Sequence, residues 1–329
     1  MVIGMNILIP NIGRRGYLVD YLKNTPVYTG KVFVSDCDRT ASGLYGNNDG
    51  FFILSKPVDD EEKYVSELCD LCEKESIKII IPVIDPEIDI LSKYKDTFAN
   101  KGISLIVSSS KVLEICYDKI KMNAFLDMIG LLHPKTYICI DEFVVALNNG
   151  EVDYPIIIKP ILGSGSVDTY LIENTDKLKA LFKKGMMIQE YLKEAIEYGT
   201  DTFNTLEGLP VRTVVKKKIS MRSGETDKSL TVHIPEIRDM LIYLGRKLGH
   251  IGNLDTDIMF SRGKYYIIDM NPRFGGGYPA THAAGVNLLQ LIIQMVNGDE
   301  ITANFDEYTD NLLVMKTISV NSVVIDNGI

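Results

Sequence analysis

Two neighbouring segments, residues 252–260 (GNLDTDIMF) and 265–277 (YYIIDMNPRFGGG), constrain this chain more than anything else in it. Both are rich in β-branched and aromatic residues and alternate apolar with polar, the pattern of half-buried strands. The polar, glycine-containing stretch Ser261-Arg262-Gly263-Lys264 between them suits a hairpin turn. With residues 262–264 as the loop, Asp257 falls opposite Asp269 on one face, Cβ atoms about 5 Å apart. Period-two alternation adds Asp255 and Asn271 to that face, with Arg273 just beyond. The other face, Ile258, Phe260, Tyr266, Ile268 and Met270, is apolar and is expected to enter a core. Crowded carboxylates repel unless a cation lies among them, and Mg²⁺ held by one or two carboxylates plus phosphate oxygens satisfies such a set. A solvated face of an ordinary hairpin is the competing reading.

At 329 residues the chain exceeds one typical domain, so two or three compact units are expected. A net charge of −9 disfavours nucleic-acid binding by charge alone, and Lys216–Lys218, in an apolar strand-like setting, reads as a local feature. The five cysteines are odd in number and scattered, and Cys69-x-x-Cys72 lacks a second pair, which argues against a metal or redox site. Free thiols fit a reducing cytosol. No apolar run reaches the length of a membrane span, and the N-terminus has no signal-peptide pattern. The expectation is a cytoplasmic protein with neither nucleic acid nor membrane as partner.

Residues 1–115 alternate short β-branched runs (6–10, 31–35, 77–83, 103–107) with helical patterns (17–23, 60–74, 87–100), which argues a doubly wound parallel sheet. The first loop holds G-x-x-G (Gly13 to Gly16) rather than G-x-G-x-x-G, so a dinucleotide site, with Asp36 on a ribose, is weakly supported against a plain strand-to-helix turn. Arg14, Arg15, Asp85 and Glu87 lie where they could line one wall of a cleft at the strand ends. Residues 118–131 read as an amphipathic helix. From residue 154 onward the pattern becomes antiparallel-like, with no internal repeat.

Residues 154–166 (YPIIIKPILGSGS) form a strand entering a flexible hydroxyl-rich loop. Glycine backbone and the Ser164 and Ser166 hydroxyls can wrap phosphate oxygens, and Lys159 can supply a point charge. The Walker order is absent, and a plain hairpin loop is the alternative. Downstream lie MMIQEYL (186–192) and Glu197-Tyr-Gly-Thr-Asp201, where strand-end backbone groups suit a flat base and a carboxylate suits ribose hydroxyls.

The order of these motifs, Asp118-Lys119, Lys159-Pro with Gly163–Ser166, Gln-Glu-Tyr-Leu with its E-Y-x-x-D tail, then DMNPRFGGG, resembles the ATP-grasp superfamily. Within it the chain looks like the short, carbamoyl-phosphate-synthase-like group of carboxylate–amine ligases. The resemblance covers nearly the whole chain. It implies a pre-ATP-grasp parallel α/β domain (1–115), a helical linker (116–152), a small lid subdomain (153–190) and a larger C-terminal α+β subdomain (191–329). It implies ATP with Mg²⁺ (or Mn²⁺) as cofactors. Lys119 and Lys159 match the phosphate-contacting bases, and Gly163, Ser164, Gly165 and Ser166 the mobile phosphate loop. Glu190, Tyr191 and Leu192 match the adenine hinge and Glu197 the ribose carboxylate. Asp257, Asp269 and Asn271 match the metal ligands, with Arg273 beside the γ-phosphate. Two departures matter: Asp269 stands where glutamate is usual, and Asp257 where glutamine or glutamate is frequent, which leaves the number of metals open. The stretch 222–228 resembles the loop near the triphosphate, with slipped spacing.

The implied reaction needs no side-chain nucleophile. A substrate carboxylate attacks the γ-phosphate, and an amine then displaces phosphate from the acyl phosphate. The protein supplies positioning and charge through metals, Lys159 and Arg273, and a closing lid protects the acyl phosphate from water. Arg222 is a candidate for holding carboxylate or phosphoryl oxygens, as is Arg273. Of the histidines, His282 after the glycine loop is the candidate base, while His250 reads as a helix cap. Small carboxylates and amines are the expected partners, with a homodimer allowed. A carbamoyl-phosphate or carboxyphosphate-forming enzyme, a non-catalytic ATP-binding module and a dehydrogenase are the competing functions. The missing repeat, the retained γ-phosphate machinery and the incomplete glycine fingerprint count against these in turn.

Overall fold

A computed structural model of the chain describes residues 4–26, 28–163 and 168–324. Its first five strands, β1 (Asn6–Ile9), β2 (Val32–Asp36), β3 (Gly50–Ile53), β4 (Ile77–Ile80) and β5 (Ser104–Leu105), form a parallel sheet in the order β3-β2-β1-β4-β5. The helices around it arise where the periodicity places them. Tyr17–Lys23 coincides with its sequence pattern, and Glu61–Lys74 starts where the Asp60 carboxylate accepts from the Lys63 amide. The expected helix at 87–100 is two: Asp85–Ser92 closes with i→i+3 bonds at Lys93 and Tyr94, and Lys95–Ala99 follows. The edge strand β3 and the Ser109-capped helix Ser110–Tyr117 were not expected from the sequence.

Helix Lys119–Ile129, capped by Asp118, leads to a four-stranded antiparallel sheet of β6 (Thr136–Tyr137), β7 (Ile156–Pro160), β8 (Tyr170–Ile172) and β9 (Met186–Glu190), ordered β6-β9-β7-β8. Phe143, Ile156, Ile158, Ile172 and Leu178 form its core. The remaining strands are β10 (Ile196–Asn204), β11 (Pro210–Arg222), β12 (Glu225–Thr231), β13 (Gly252–Ser261), β14 (Lys264–Asn271) and β15 (Leu313–Met315). They form an antiparallel sheet, β14-β13-β10-β11-β12-β15. Its reverse face (Val215, Leu254, Ile258, Ile267, Met270) packs against helices Lys119–Ile129 and Pro235–Leu248. No helix among the described residues is long and apolar enough to cross a membrane.

The β13–β14 hairpin reaches its expected register by another route. Ser261 pairs with Lys264, so the turn has two residues, Arg262 and Gly263, at φ of 51° and 73°. That turn alone would set Asp257 opposite Ile268. A bulge between the Asp257 and Ile258 pairs inserts one residue and restores Asp257 opposite Asp269 and Asp255 opposite Asn271. The side chains beyond the bulge therefore exchange faces. Ile267 is fully buried in the core with Tyr265 packed beside it, whereas Ile268 lines the cleft and Tyr266 pairs with cleft-lining Met259. The expectation that Tyr266 and Ile268 enter the core is corrected accordingly.

Candidate active site

A cleft of about 880 Å³ lies between the large sheet and the small one, with Arg15, residues 83–86 and Gly276–Gly277 also in its lining. Sheet register explains why its floor is charged. Gly199 on β10 pairs with Lys216 on one side and Asp257 on the other, and Asp257 pairs with Asp269. Directly opposed residues share a face, and alternation adds Lys218, Glu197, Asp201, Asp255 and Asn271. Gly199 matters because it has no side chain. A Cβ there would stand 3.0 Å from Lys218 Cε and 3.7 Å from Asp257 Oδ1, in the gap through which Lys218 crosses β10.

Lys218 Nζ donates to Glu197 Oε1 at 2.7 Å and lies 2.7 Å from Asp257 Oδ1. Desolvation pulls this ammonium down, but Asp257 and Glu197 outweigh it and hold Lys218 above its ordinary value. Asp257 is pushed up to about 7 by burial, opposed by Lys218 and reinforced by Asp255 and Asp269. Burial also raises Asp255 against the pull of Arg273, whose Nη1 donates to Asp255 Oδ2 at 2.8 Å. On its other side Arg273 Nε is 3.3 Å from Asp85 Oδ1. The glycine run is a steric necessity here, because a Cβ on Gly275 would come within 2.1 Å of Asp255 Oδ2.

Lys119, nearly buried, donates to the Gly163 carbonyl and stands 3.9 Å from Asp269 Oδ1, while Asn271 Nδ2 donates to Asp269 Oδ2 at 3.1 Å. Lys159 at the end of β7 projects over the same carboxylates. Burial lowers it to about 8, Asp269 working against that shift and Lys119 with it.

The structure thus brings Lys119, Lys159, Gly163, Glu190, Tyr191, Leu192, Glu197, Asp257, Asp269, Asn271 and Arg273 to one cleft. Ser164, Gly165 and Ser166 lie outside the described residues. Two candidates stand elsewhere. Arg222 does not line the cleft: its side chain is half exposed and pairs with Asp227 at 3.1 Å. His282 stacks on Tyr21, ring centroids 3.7 Å apart, off the cleft wall, so it has no access to a reacting group there. His250 is no cap; it is fully buried with Nε2 3.0 Å from the Thr202 carbonyl, and burial lowers it to about 4. Asp36 takes the Gly13 amide at 2.8 Å and the Asp38 amide at 2.9 Å, so it shapes the first loop instead of facing a ribose. At the hinge, the Glu190 amide is used by the Lys135 carbonyl at 2.8 Å and its carboxylate by Arg262.

Sequence reasoning read Lys216–Lys218 as a local feature and so passed over Lys218, which charges the cleft floor, and Lys216, which is sealed beneath it. Their spacing of two on a strand, facing the acidic ribbon, was the available signal. Among the described residues no group of three or more His, Cys, Asp or Glu is arranged to hold a metal ion. The donors that are present suit a hard cation all the same. They are the carboxylates of Asp257 and Asp269 beside the Asn271 amide, and the burial and mutual repulsion that raise Asp257 are what a divalent ion would relieve.

Residues 7–106 match the PylC-like N-terminal domain, and residues 116–277 match the ATP-grasp domain. The chain thus carries an ATP-grasp domain behind a PylC-like N-terminal domain. It is similar to a carbamoyl-phosphate synthase from Methanobrevibacter smithii, 25% identical over 276 residues, covering 76% of this chain and 70% of that one. It is also 23% identical over 284 residues to the arginine-specific carbamoyl phosphate synthase large chain of Geobacillus stearothermophilus, covering 80% of this chain but 26% of that one. The chain thus spans about a quarter of such large chains. Among solved structures, N5-carboxyaminoimidazole synthetase from Staphylococcus aureus complexed with ADP superposes with a TM-score of 0.74 at 15% identity, covering 97% of this chain and 83% of that one. A biotin carboxylase–ATP complex from Campylobacter jejuni gives 0.71 at 16%, covering 94% and 74%.

Proposed function

We propose that this chain is an ATP-dependent carboxylate–amine ligase. It passes a carboxylate through an acyl phosphate, releases ADP and phosphate, and transfers the acyl group to an amine. The supporting observation is the convergence on one cleft of two lysines (Lys119, Lys159), Arg273 and the Asp257–Asp269–Asn271 ribbon. Mg²⁺ bound at Asp257, Asp269 and Asn271 would neutralise triphosphate charge as that charge shifts in transfer. Lys119 ties the Gly163 backbone to the floor, so the same ammonium serves loop and phosphate. Arg273, fixed on two sides by Asp85 and Asp255, presents a preorganised guanidinium to developing charge and costs no reorganisation during reaction. Leu192, Met259 and Ile268 give the base an apolar slot, and Glu197 suits ribose hydroxyls. Small acids and amines in the cytosol are the partners on this reading, with a homodimer allowed.

The curated relatives favour a second reading, in which bicarbonate is the acid and carboxyphosphate the intermediate. One assay separates the two: ADP and phosphate release from Mg·ATP against amino acids, small acids, amines and bicarbonate, alone and in pairs. Release with an organic acid–amine pair supports the ligase, and release with bicarbonate and an amine supports the alternative. AMP as product overturns both. Asp269→Asn should lower turnover about a hundredfold or more with an unchanged melting curve. An Asp269→Asn protein of wild-type activity sinks the assignment.

A further inference from the structure

Where Arg15 and Glu225 line the cleft, three cations converge on one carboxylate. Glu225 Oε1 lies 3.4 Å from Arg14 Nη2 and 3.9 Å from Arg15 Nη2, and Glu225 Oε2 lies 3.5 Å from Lys316 Nζ. The groups come from three places in the chain. Arg14 and Arg15 belong to the loop after β1, and Lys316 follows β15. Glu225 opens β12 after the Ser223-Gly224 turn, whose φ values are 50° and 77°. Its side chain lies against Gly276, where an added Cβ would stand 2.8 Å from Glu225 Cβ.

Two features separate this cluster from a simple tie between domains. Three positive charges against one negative leave an excess of two, whereas a tie needs one cation per carboxylate. Arg15 also faces the cleft, and at 3.9 Å its contact with Glu225 is an ion pair without a hydrogen bond. Arg15 is anchored next to the reacting end as well. Its Nη1 donates to the Val83 carbonyl, two residues before Asp85, which holds Arg273. Two residues of chain span at most about 7 Å, a distance one small molecule bridges.

We propose, resting on the ligase reading, that the substrate carries a second anionic group, a carboxylate or phosphate apart from the reacting carboxylate, and that Arg15 with Arg14 and Lys316 seats it. A guanidinium matches either oxyanion bidentately. Glu225 spaces the three cations and leaves two charges for the ligand to neutralise.

Calorimetric titration tests this without turnover. L-alanine, L-glutamate and O-phospho-L-serine are titrated into the full chain, alone and with Mg²⁺ and a non-hydrolysable ATP analogue, using wild type, Arg15→Gln, Arg15→Lys and Lys316→Gln. The two anionic compounds should bind at least about tenfold more tightly than alanine, the equivalent of one charge-assisted hydrogen bond. Which of the two is tighter tells carboxylate from phosphate. Arg15→Gln should erase the preference, and Arg15→Lys and Lys316→Gln should keep part of it. Affinity for the nucleotide analogue should not change. Equal binding of alanine and the anionic compounds, or a preference that survives Arg15→Gln, overturns the seat. Failure of the ligase reading registers separately, as a wild type that binds the nucleotide analogue yet releases no ADP and phosphate with any organic acid–amine pair, or that does not bind the analogue at all.

Discussion

Lys216 and Lys218 sit two residues apart on the same face of β11, yet they live in opposite circumstances. Lys216 is 1% exposed and paired with Asp201, itself 2% exposed; Thr281 Oγ1 accepts from its ammonium at 2.9 Å and donates to the same Asp201 carboxylate. Asn253 joins that carboxylate at 2.6 Å and reaches the Arg273 carbonyl at 3.3 Å. The group is sealed beneath the glycine loop and props up the helix Tyr278–Ala283 and the backbone of Arg273. Lys218 is also well covered, but its two carboxylates, Glu197 and Asp257, belong to the cleft wall. One lysine holds the scaffold and the other supplies charge to the site. A residue type and its burial do not distinguish them; what lies on the far side of each partner does.

The largest expected effect tests the scaffold half. Lys216→Met leaves the Asp201 carboxylate buried without its cation, which should cost about 3–5 kcal/mol of unfolding free energy. Replacing both partners by apolar residues of similar volume should recover most of that loss. Urea unfolding measures both. A Lys216→Met protein within about 1 kcal/mol of wild type would show that the pair is not a structural pin.

A second sealed charge sharpens the contrast because it has no cation. Glu87 is fully buried. Its Oε1 accepts from the Tyr64 hydroxyl and from Asn11 Nδ2 at 2.9 Å, and its Oε2 has no hydrogen-bond partner among the described residues. Burial pushes the carboxyl up from 4.5 to about 7, with the Tyr64 and Asn11 bonds opposing. The folded value lies above the unfolded one, so ionisation works against folding. The penalty is absent below about pH 4, grows as pH rises, and is complete above about pH 7, at about 3 kcal/mol. Glu87→Gln removes it. The variant should therefore gain on wild type between pH 5 and pH 8 in paired urea unfolding curves. A wild-type-to-variant difference that is flat with pH refutes the account.

The acidic ribbon, its face and its opposite numbers were legible in residues 252–277, because strand alternation and a short turn are local properties. The two-residue turn and the bulge were not. They depend on how β14 meets the core, and they sent Ile267 inward instead of Ile268. The parallel sheet was legible through its buried strands, whereas β3, an edge strand of four residues with Phe51 and Ile53 exposed, carried too little pattern. Lys218 was missed for a topological reason. Its partner Asp257 lies two strands away across β10, and nothing local states that β10 separates β11 from β13. His282 and Arg222 misled because nearness in sequence to a motif says little about side-chain direction. The one faces Tyr21 and the other Asp227.

The smallest expected effect probes the functional half through a residue with no side chain. Gly199→Ala is compatible with the extended backbone of β10, and alanine narrows the unfolded ensemble, which favours folding by about 0.4–1 kcal/mol. The added Cβ would meet Lys218 Cε at 3.0 Å, so the lysine stem must yield by a few tenths of an ångström and its bridge from Glu197 to Asp257 must lengthen. Stability should hold or rise slightly, while the KM for Mg·ATP should rise about threefold, less than the loss of one full hydrogen bond. The opposite signs are what identify Lys218 as a charge of the site. If Gly199→Ala instead destabilised the protein as Lys216→Met does and left the KM for Mg·ATP unmoved, the two lysines would belong to one structural network and the contrast between them would collapse.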